Sequence, residues 1–370
     1  MQPVPVPAHV MPVYVWCMGQ DDNIGDVVLR RRLLDELRPI GPLHVFLGDA
    51  ASDDFVTALR LGSGDIVIRD SKAWTPAVLH AARQGPILCV GKPGELPTDT
   101  ARLRRSLRRL LLHWQVGRKG GAVVQLGIGA REQPRRLMPL FRLSFRLHHM
   151  VRWRDPRSHA QFRLGSVMPD WGFDDFGPTS TPLPGDGRGP RELVVLSLRG
   201  DRPAPGQAWL EGVRAFCRRS ALRPIVVTQV RRDADQSRHL ARRLDAELVD
   251  WGAEPHAQQE QRLRRTYARA ALAVSDRLHV LIVAFTEGAV PLCLVDRPED
   301  KIGRHFEAIG YRDASIDVSG LPAERIAGQL EAALRRQDEA GGARTVAVNM
   351  IAEAGRDLRT LVASRGRPTR

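Results

Sequence analysis

The five residues Ser275-Asp276-Arg277-Leu278-His279 carry the strongest chemical signal in this chain. An apolar run, Ala271 to Val274, hands over there to a buried helical pattern from Leu278 to Glu287. Gly288 ends that pattern, and a second apolar run follows from Ala289 to Val295. A strand-to-helix handover leaves backbone N–H groups unpaired at the positive end of the helix dipole. Ser275 or Asp276 is able to cap it. An arginine and a histidine in the same turn add a fixed cation and a titratable imidazole to an anion-ready pocket. The chemistry that fits is work on a phosphorylated or carboxylated ligand, with Arg277 holding charge and His279 moving a proton. The structural reading of the same imidazole is a satisfied core histidine.

The elements that must position this pentad alternate between strand and helix along almost the whole chain. Val13–Cys17, Leu43–Leu47, Asp65–Ile68, Pro86–Val90, Ala122–Leu126 and Met150–Trp153 are short apolar or β-branched runs of the length of a strand buried on both faces. Helical patterns such as Val27–Leu37 and Thr75–Arg83 lie between them. Residues 177–190 are dense in Pro, Gly, Ser and Thr and read as a linker. The alternation resumes with strands at Glu192–Leu198, Pro224–Gln229 and Glu247–Val249 and helices at Ala208–Arg219, Ala234–Leu244 and Gln259–Ala270. The expected fold is therefore α/β, with two Rossmann-like domains facing a cleft. Residues 1–12 form an extended tail, 13–176 the first domain, 191–320 the second, and 321–370 two terminal helices near Ala323–Arg336 and Thr345–Ser364.

Several further residues fall at strand ends, where α/β proteins bind ligands. Asn23, Gly25 and Asp26 open the first helix, as a cap or as a close approach to a ligand. Gly127 and Gly129 follow the fifth strand as a tight turn or a ligand approach. Arg154 follows the sixth strand beside Asp155, as a ligand contact or a structural ion pair, and Arg199 ends the first strand of the second block.

The order of these pieces resembles the polysaccharide pyruvyl transferase family. The series is Asn-x-Gly-Asp at 23–26, Gly-Ile-Gly at 127–129, Arg-Asp-x-x-Ser at 154–158 and Asp-Trp-Gly-Phe at 170–173. Ser-Leu-Arg at 197–199, the pentad at 275–279, Gly288-x-x-Pro291 and Lys301 complete it. The likeness spans roughly residues 13 to 310. It implies a GT-B-like fold and transfer of pyruvyl from phosphoenolpyruvate to a sugar of a cell-surface polysaccharide, forming a ketal. It further implies His279 and Arg277 as catalytic residues, and Arg154, Arg199, Lys301, Asn23, Gly25, Asp26, Leu278, Gly127 and Gly129 as substrate contacts. No cofactor beyond phosphoenolpyruvate as donor and no metal is implied. The family's early glycine pair is split here, as Gly91-Lys92-Pro93-Gly94, where Lys92 offers a point charge instead. Two other readings stand beside it: a GT-B glycosyltransferase using a nucleotide sugar, and a non-catalytic arginine-rich binding protein. No zinc-finger or RNP pattern supports nucleic acid as the partner of the last.

Composition bounds these readings. Across 370 residues the formal net charge is +14, almost all from arginine, since lysine stands only at Lys72, Lys92, Lys119 and Lys301. Anionic partners follow: phosphates, a membrane surface or nucleic acid. Cys17, Cys89, Cys217 and Cys293 lack metal spacing and read as buried thiols of a cytoplasmic protein. No apolar run is long enough to span a bilayer, and the proline-rich start is not a secretory signal. Leu103, Leu107, Leu110, Leu111 and Trp114 fall on one face of a basic helical pattern over 102–114. That pattern suits either a core helix or peripheral contact with the inner face of a membrane, as would a lipid-linked saccharide acceptor.

Overall fold

The computed structural model describes residues 10–130, 136–175 and 191–365. Most of the expected tail and the whole expected linker, 177–190, lie outside the described residues. The chain forms two compact units. One comprises Met1–Gly19, Leu29–Trp171 and Met350–Arg370, the other Gln20–Val28 and Gly172–Asn349.

The first unit is built on a parallel sheet of eight strands: β1 (Val13–Trp16), β2 (Leu43–Phe46), β3 (Ile66–Ile68), β4 (Leu88–Val90), β5 (Gly94–Leu96), β6 (Ala122–Ala130), β7 (Met150–Trp153) and β8 (Ser166–Val167). Their order is β3-β2-β1-β4-β6-β7-β8, with β5 pairing on β6. The order in which strands are added reverses between β1 and β4, the switch point at whose carboxyl edge α/β proteins bind ligands. All nine residues of β6 are buried, which is why that strand reads as an apolar run broken only by Gln125. Two clusters fill the core, one around Phe46, Trp74 and Val116, the other around Phe141, Trp153 and Phe162.

The second unit holds a parallel sheet of six strands: β9 (Leu193–Ser197), β10 (Arg223–Val227), β11 (Glu247–Val249), β12 (Ala270–Ser275), β13 (Val290–Val295) and β14 (Ser315–Asp317). The order β11-β10-β9-β12-β13-β14 is the Rossmann order, with its switch point between β9 and β12. The helix Leu278–Thr286 between β12 and β13 is buried on nearly every side, so it carries no polar stripe. Helices Gln207–Ser220 and Ala323–Leu334 pack closely because Gly212 has no side chain. A Cβ there would lie 2.7 Å from Ile326 Cγ2 and 2.8 Å from the Ala323 carbonyl.

Three local expectations change. The Gly-Ile-Gly segment is not a turn after a strand: β6 runs through it, with a register shift between Leu126 and Ile128 where Gly127 takes φ +70°. The basic pattern over 102–114 is two helices, Thr100–Arg108 and Leu110–Arg118, joined at Arg109. The junction rotates the apolar face, so Leu103, Leu112 and Val116 are buried while Leu111 is 78% exposed and Trp114 48%. The last helix is a single element, Gln337–Arg365, whose residues from Met350 onward belong to the first unit.

Candidate functional site

The pentad lies at the switch point of the second sheet. Ser275 ends β12, and its hydroxyl donates to the Ser197 carbonyl at the end of β9 (2.5 Å) while accepting the Arg277 N–H (2.9 Å). That locks the two central strand ends together and turns the chain into the helix that begins at Leu278. Asp276 points back to β9, where one carboxylate oxygen accepts the Arg199 N–H at 2.9 Å and the other lies 3.7 Å from Arg202 Nε. Burial raises its carboxyl above the ordinary aspartate range, against the pull of that N–H and the nearby arginines.

Arg277 is held in a fork. Its Nε and one terminal nitrogen donate to the two oxygens of Asp233 at 2.7 and 2.6 Å, and Asp233 also accepts the Gly200 N–H at 2.8 Å. Arg199 forks in the same way onto Asp201, at 2.8 and 2.6 Å. This hydrogen-bonded pair drives the Asp201 carboxyl well below its usual range and the Arg199 guanidinium above its own. Arg202 pairs with Glu299 across the same edge. Asp233 and Asp201 are partners that the motif series did not single out; only the folded chain brings them beside the arginines.

A cavity of about 400 Å³ opens on this edge. Its lining includes Arg199, Arg202, Trp209, Asp276, Arg297 and Ser319. These residues come from the segments after β9, β12, β13 and β14, so the cavity spans the carboxyl ends of four of the six strands. A volume of this size matches a ligand of roughly nucleotide dimensions. Lys301 opens the helix Lys301–Glu307 and gives its carbonyl to His305 Nδ1 at 2.6 Å; it is not in the lining.

Segment 20–28 belongs to this unit, and its residues serve docking. Asn23 bridges Val230 and its side-chain oxygen accepts the Gly25 N–H at 3.0 Å, while Asp26 accepts the Gln20 N–H at 2.7 Å. Gly25 lies against the imidazole: a Cβ there would sit 2.2 Å from His279 Cβ and 2.6 Å from its Cγ. The close approach that glycine permits is thus to His279. The Nε2 of His279 is buried, and the residue lines neither of the two cavities described here. Leu278 is buried in the first turn of its helix.

The remaining expected contacts lie in the first unit and are engaged internally. Arg154 is 1% exposed, 2.8 Å from Asp170 and 3.8 Å from Glu95. A Cβ on Gly127 would meet the Trp171 ring at 2.9 Å, and one on Gly129 would meet Asp155 at 2.8 Å and Arg154 at 2.9 Å. Both glycines let β6 pass under those side chains. Among the described residues no cluster of three or more His, Cys, Asp or Glu side chains is placed to hold a metal ion.

No family model and no curated protein matches the sequence. Solved structures do. A glycosyltransferase from Rickettsia africae superposes with TM-score 0.55 at 9% identity, covering 95% of this chain and 98% of that one. UDP-GlcNAc 2-epimerase from Neisseria meningitidis, bound to UDP-GlcNAc, gives 0.52 at 11% identity over 93% and 100%. The UDP complex of S. aureus MnaA gives 0.51 at 11% over 92% of both chains. These neighbours overturn the pyruvyl transferase reading of the motif series: they are a glycosyltransferase and proteins with bound UDP or a UDP-sugar, and none uses phosphoenolpyruvate by its description. In the structure Gly25, Gly127 and Gly129 give room to neighbouring side chains, and Arg154 pairs with Asp170. The fold is GT-B-like, two Rossmann-like α/β units each built on a parallel sheet.

Proposed function

We propose that the chain is a glycosyltransferase that takes a nucleoside diphosphate sugar at the carboxyl edge of its second sheet and passes the glycosyl group to a saccharide acceptor in polysaccharide assembly. The observation that carries this reading is the cavity of about 400 Å³ at that edge, with Arg199, Arg202 and Arg297 in its lining. In such a transfer the bond from the anomeric carbon to the diphosphate oxygen breaks, and a bond to the acceptor oxygen forms. The acceptor hydroxyl passes its proton to solvent, and the nucleoside diphosphate leaves with the bonding electron pair. Guanidinium groups stabilise that departing charge bidentately. Arg199 and Arg202 are held meanwhile by Asp201 and Glu299, both largely exposed. Exposed pairs of this kind contribute about 0–1 kcal/mol, so a diphosphate is able to displace them.

Isothermal titration with UDP and UDP-GlcNAc tests the reading. Arg199→Gln should weaken UDP binding about 10–100-fold, the loss of a charge-assisted hydrogen bond. Asp201→Asn should tighten it several-fold, because Arg199 no longer has to be released first. A wild-type chain that binds no nucleoside diphosphate at all would remove the proposal.

The acceptor side of the proposal includes peripheral contact with the inner leaflet of a membrane. Among the described residues no helix is long and apolar enough to cross a bilayer. Leu111 and Trp114 nevertheless project into solvent from one helix, and Leu140 and Leu143 from the helix Met138–Phe145. Arg104, Arg105 and Arg108 are exposed on the adjoining helix. Apolar side chains beside a basic cluster suit an anionic lipid surface, where each arginine adds about 1 kcal/mol. Co-sedimentation with vesicles containing phosphatidylglycerol should be strong at low salt and fall tenfold or more for Leu111→Ser/Trp114→Ser. Failure of the wild-type chain to sediment under those conditions counts against it.

A further inference from the structure

The switch point of the first sheet carries a second cavity, about 50 Å³, that the proposed donor chemistry does not use. Trp16 at the end of β1 and Gly91 and Lys92 just after β4 form part of its lining, so it too lies where α/β sheets bind ligands. The two-helix segment that follows β5 supplies Arg102, Arg109 and His113, and His148 comes from the turn before β7. Among the described residues, no aspartate or glutamate lines it. Arg109 lies over the Trp16 ring, 4.1 Å from its centroid. Asp99 is spent as a helix cap on the Arg102 N–H, at 2.6 Å.

Three buried polar atoms of these residues have no hydrogen-bond partner: Arg102 Nε, His113 Nδ1 and His148 Nδ1. Buried polar groups are nearly always satisfied, by protein, water or a ligand, so three on one small cavity call for an occupant. The charge state says which kind. Burial, followed by repulsion from Arg109 and Arg105, holds the Arg102 guanidinium down to about 10, still a full cation at neutral pH. Burial first, then each other's proximity, pushes His113 down to about 3, and burial pushes His148 down to about 4. His113 further feels Arg109 and His149, and His148 feels His149 and the Phe145 carbonyl. Both rings are neutral near pH 7, each with one N–H donor and one acceptor nitrogen. The crowded guanidinium groups thus face neutral imidazoles, Ser106, Gln125 and Ser144, with no carboxylate in the lining to balance their charge.

We infer that this cavity binds a compact oxyanion, a phosphate or carboxylate group, held between the Arg102 and Arg109 guanidiniums and the His113 and His148 rings. The volume admits one such group and excludes a nucleotide, since a single water occupies about 30 Å³ of liquid. On the glycosyl-transfer reading, and resting on it, the group belongs to the acceptor, which is then an acidic or phosphorylated saccharide.

Calorimetric titration of the full chain with inorganic phosphate, and separately with acetate, tests the site without reference to the donor. Phosphate should bind saturably, and Arg102→Gln and Arg109→Gln should each weaken it tenfold or more. Arg102→Gln should also raise the melting temperature in anion-free buffer, because it relieves the crowding of like charges. Arg199→Gln, in the other unit, should leave this binding intact while weakening UDP. Histidine NMR of the unaltered chain supplies a readout independent of the arginine variants: phosphate should move the C2–H resonances that vanish in His113→Asn and His148→Asn. Tighter binding of phosphate assigns a phosphorylated acceptor, and tighter binding of acetate a carboxylated one. Binding of neither anion, resonances that do not move, or phosphate affinity lost only in Arg199→Gln would overturn the inference. Loss of UDP binding with phosphate binding kept would remove the donor proposal and leave this site standing.

Discussion

Arg264→Met should destabilise the second unit by about 3–5 kcal/mol, the cost of leaving a buried charge cluster without its counter-ion. Arg264 is 2% exposed and joins three carboxylates: Nε donates to Glu260 at 2.8 Å, one terminal nitrogen to Glu287 at 2.9 Å, and the other to Asp175 at 2.7 Å. Glu260 and Arg264 stand one turn apart on the helix His256–Ala268, and Glu287 closes the buried helix Leu278–Thr286 that begins with the last two residues of the pentad. The guanidinium thus ties the first of these helices to the end of the second. A lysine's three donors sit on a single nitrogen and do not span the three carboxylates that the planar guanidinium reaches, so Arg264→Lys should recover only part of the loss. Adding Glu287→Gln to Arg264→Met should restore stability relative to the single variant, because one uncompensated charge is gone. Urea unfolding at pH 7 measures all three. A midpoint shift for Arg264→Met worth less than about 1 kcal/mol would show the cluster to be hydrated or self-compensating.

The α/β character and the two blocks are legible because strands buried on both faces must be continuous apolar runs. Ala270–Ser275 and Val290–Val295 follow that rule and stand within a residue or so of their sequence-read bounds. The strands Gly94–Leu96, Ser166–Val167 and Ser315–Asp317 are not legible, since two or three residues with Gly, Ser or Asp have no period of their own. Only pairing with a formed neighbour makes them strands. The helix break at Arg109 is hidden for a similar reason. Leucine recurs across it at helical spacing, and the turn is decided by which leucines find a core.

The candidate site divides along the same line. Local order places Arg199 and Arg277 at the carboxyl edge, because a strand end is a sequence feature. Their carboxylate partners Asp201 and Asp233 are a matter of tertiary position. Gly25 shows what spacing alone does not reveal: the Asn-x-Gly-Asp turn lies against His279, more than 250 residues away in sequence. The signal that would have found the first unit's cavity is composition by position. Four arginines and a histidine fall between Arg104 and His113 with no acid among them, a balance that an ordinary solvent-facing helix pair has no need of.

The first unit should be acid-labile for a reason its two half-buried imidazoles, His113 and His148, supply. His113 sits at about 3 and His148 at about 4 in the folded chain, against about 6.5 when unfolded. Both are depressed, so their contribution to stability is complete above about pH 6.5 and is lost as pH falls through that value toward 4 and then 3. In that window the unfolded chain binds up to two more protons than the folded one, a slope of about 2–3 kcal/mol per pH unit before any relaxation of the site. Between pH 7 and pH 5 the wild-type chain should therefore lose a few kcal/mol relative to His113→Asn/His148→Asn, which has nothing there to titrate. Asparagine keeps a donor and an acceptor of similar reach, so the comparison at pH 7 reports packing and the comparison at pH 5 reports protons. Urea midpoints at the two pH values, in buffer free of phosphate and carboxylate, make the measurement. Parallel pH profiles for the two chains would mean that both rings protonate in the folded state as readily as in water. In that case the cavity they line is open to solvent and already neutralised.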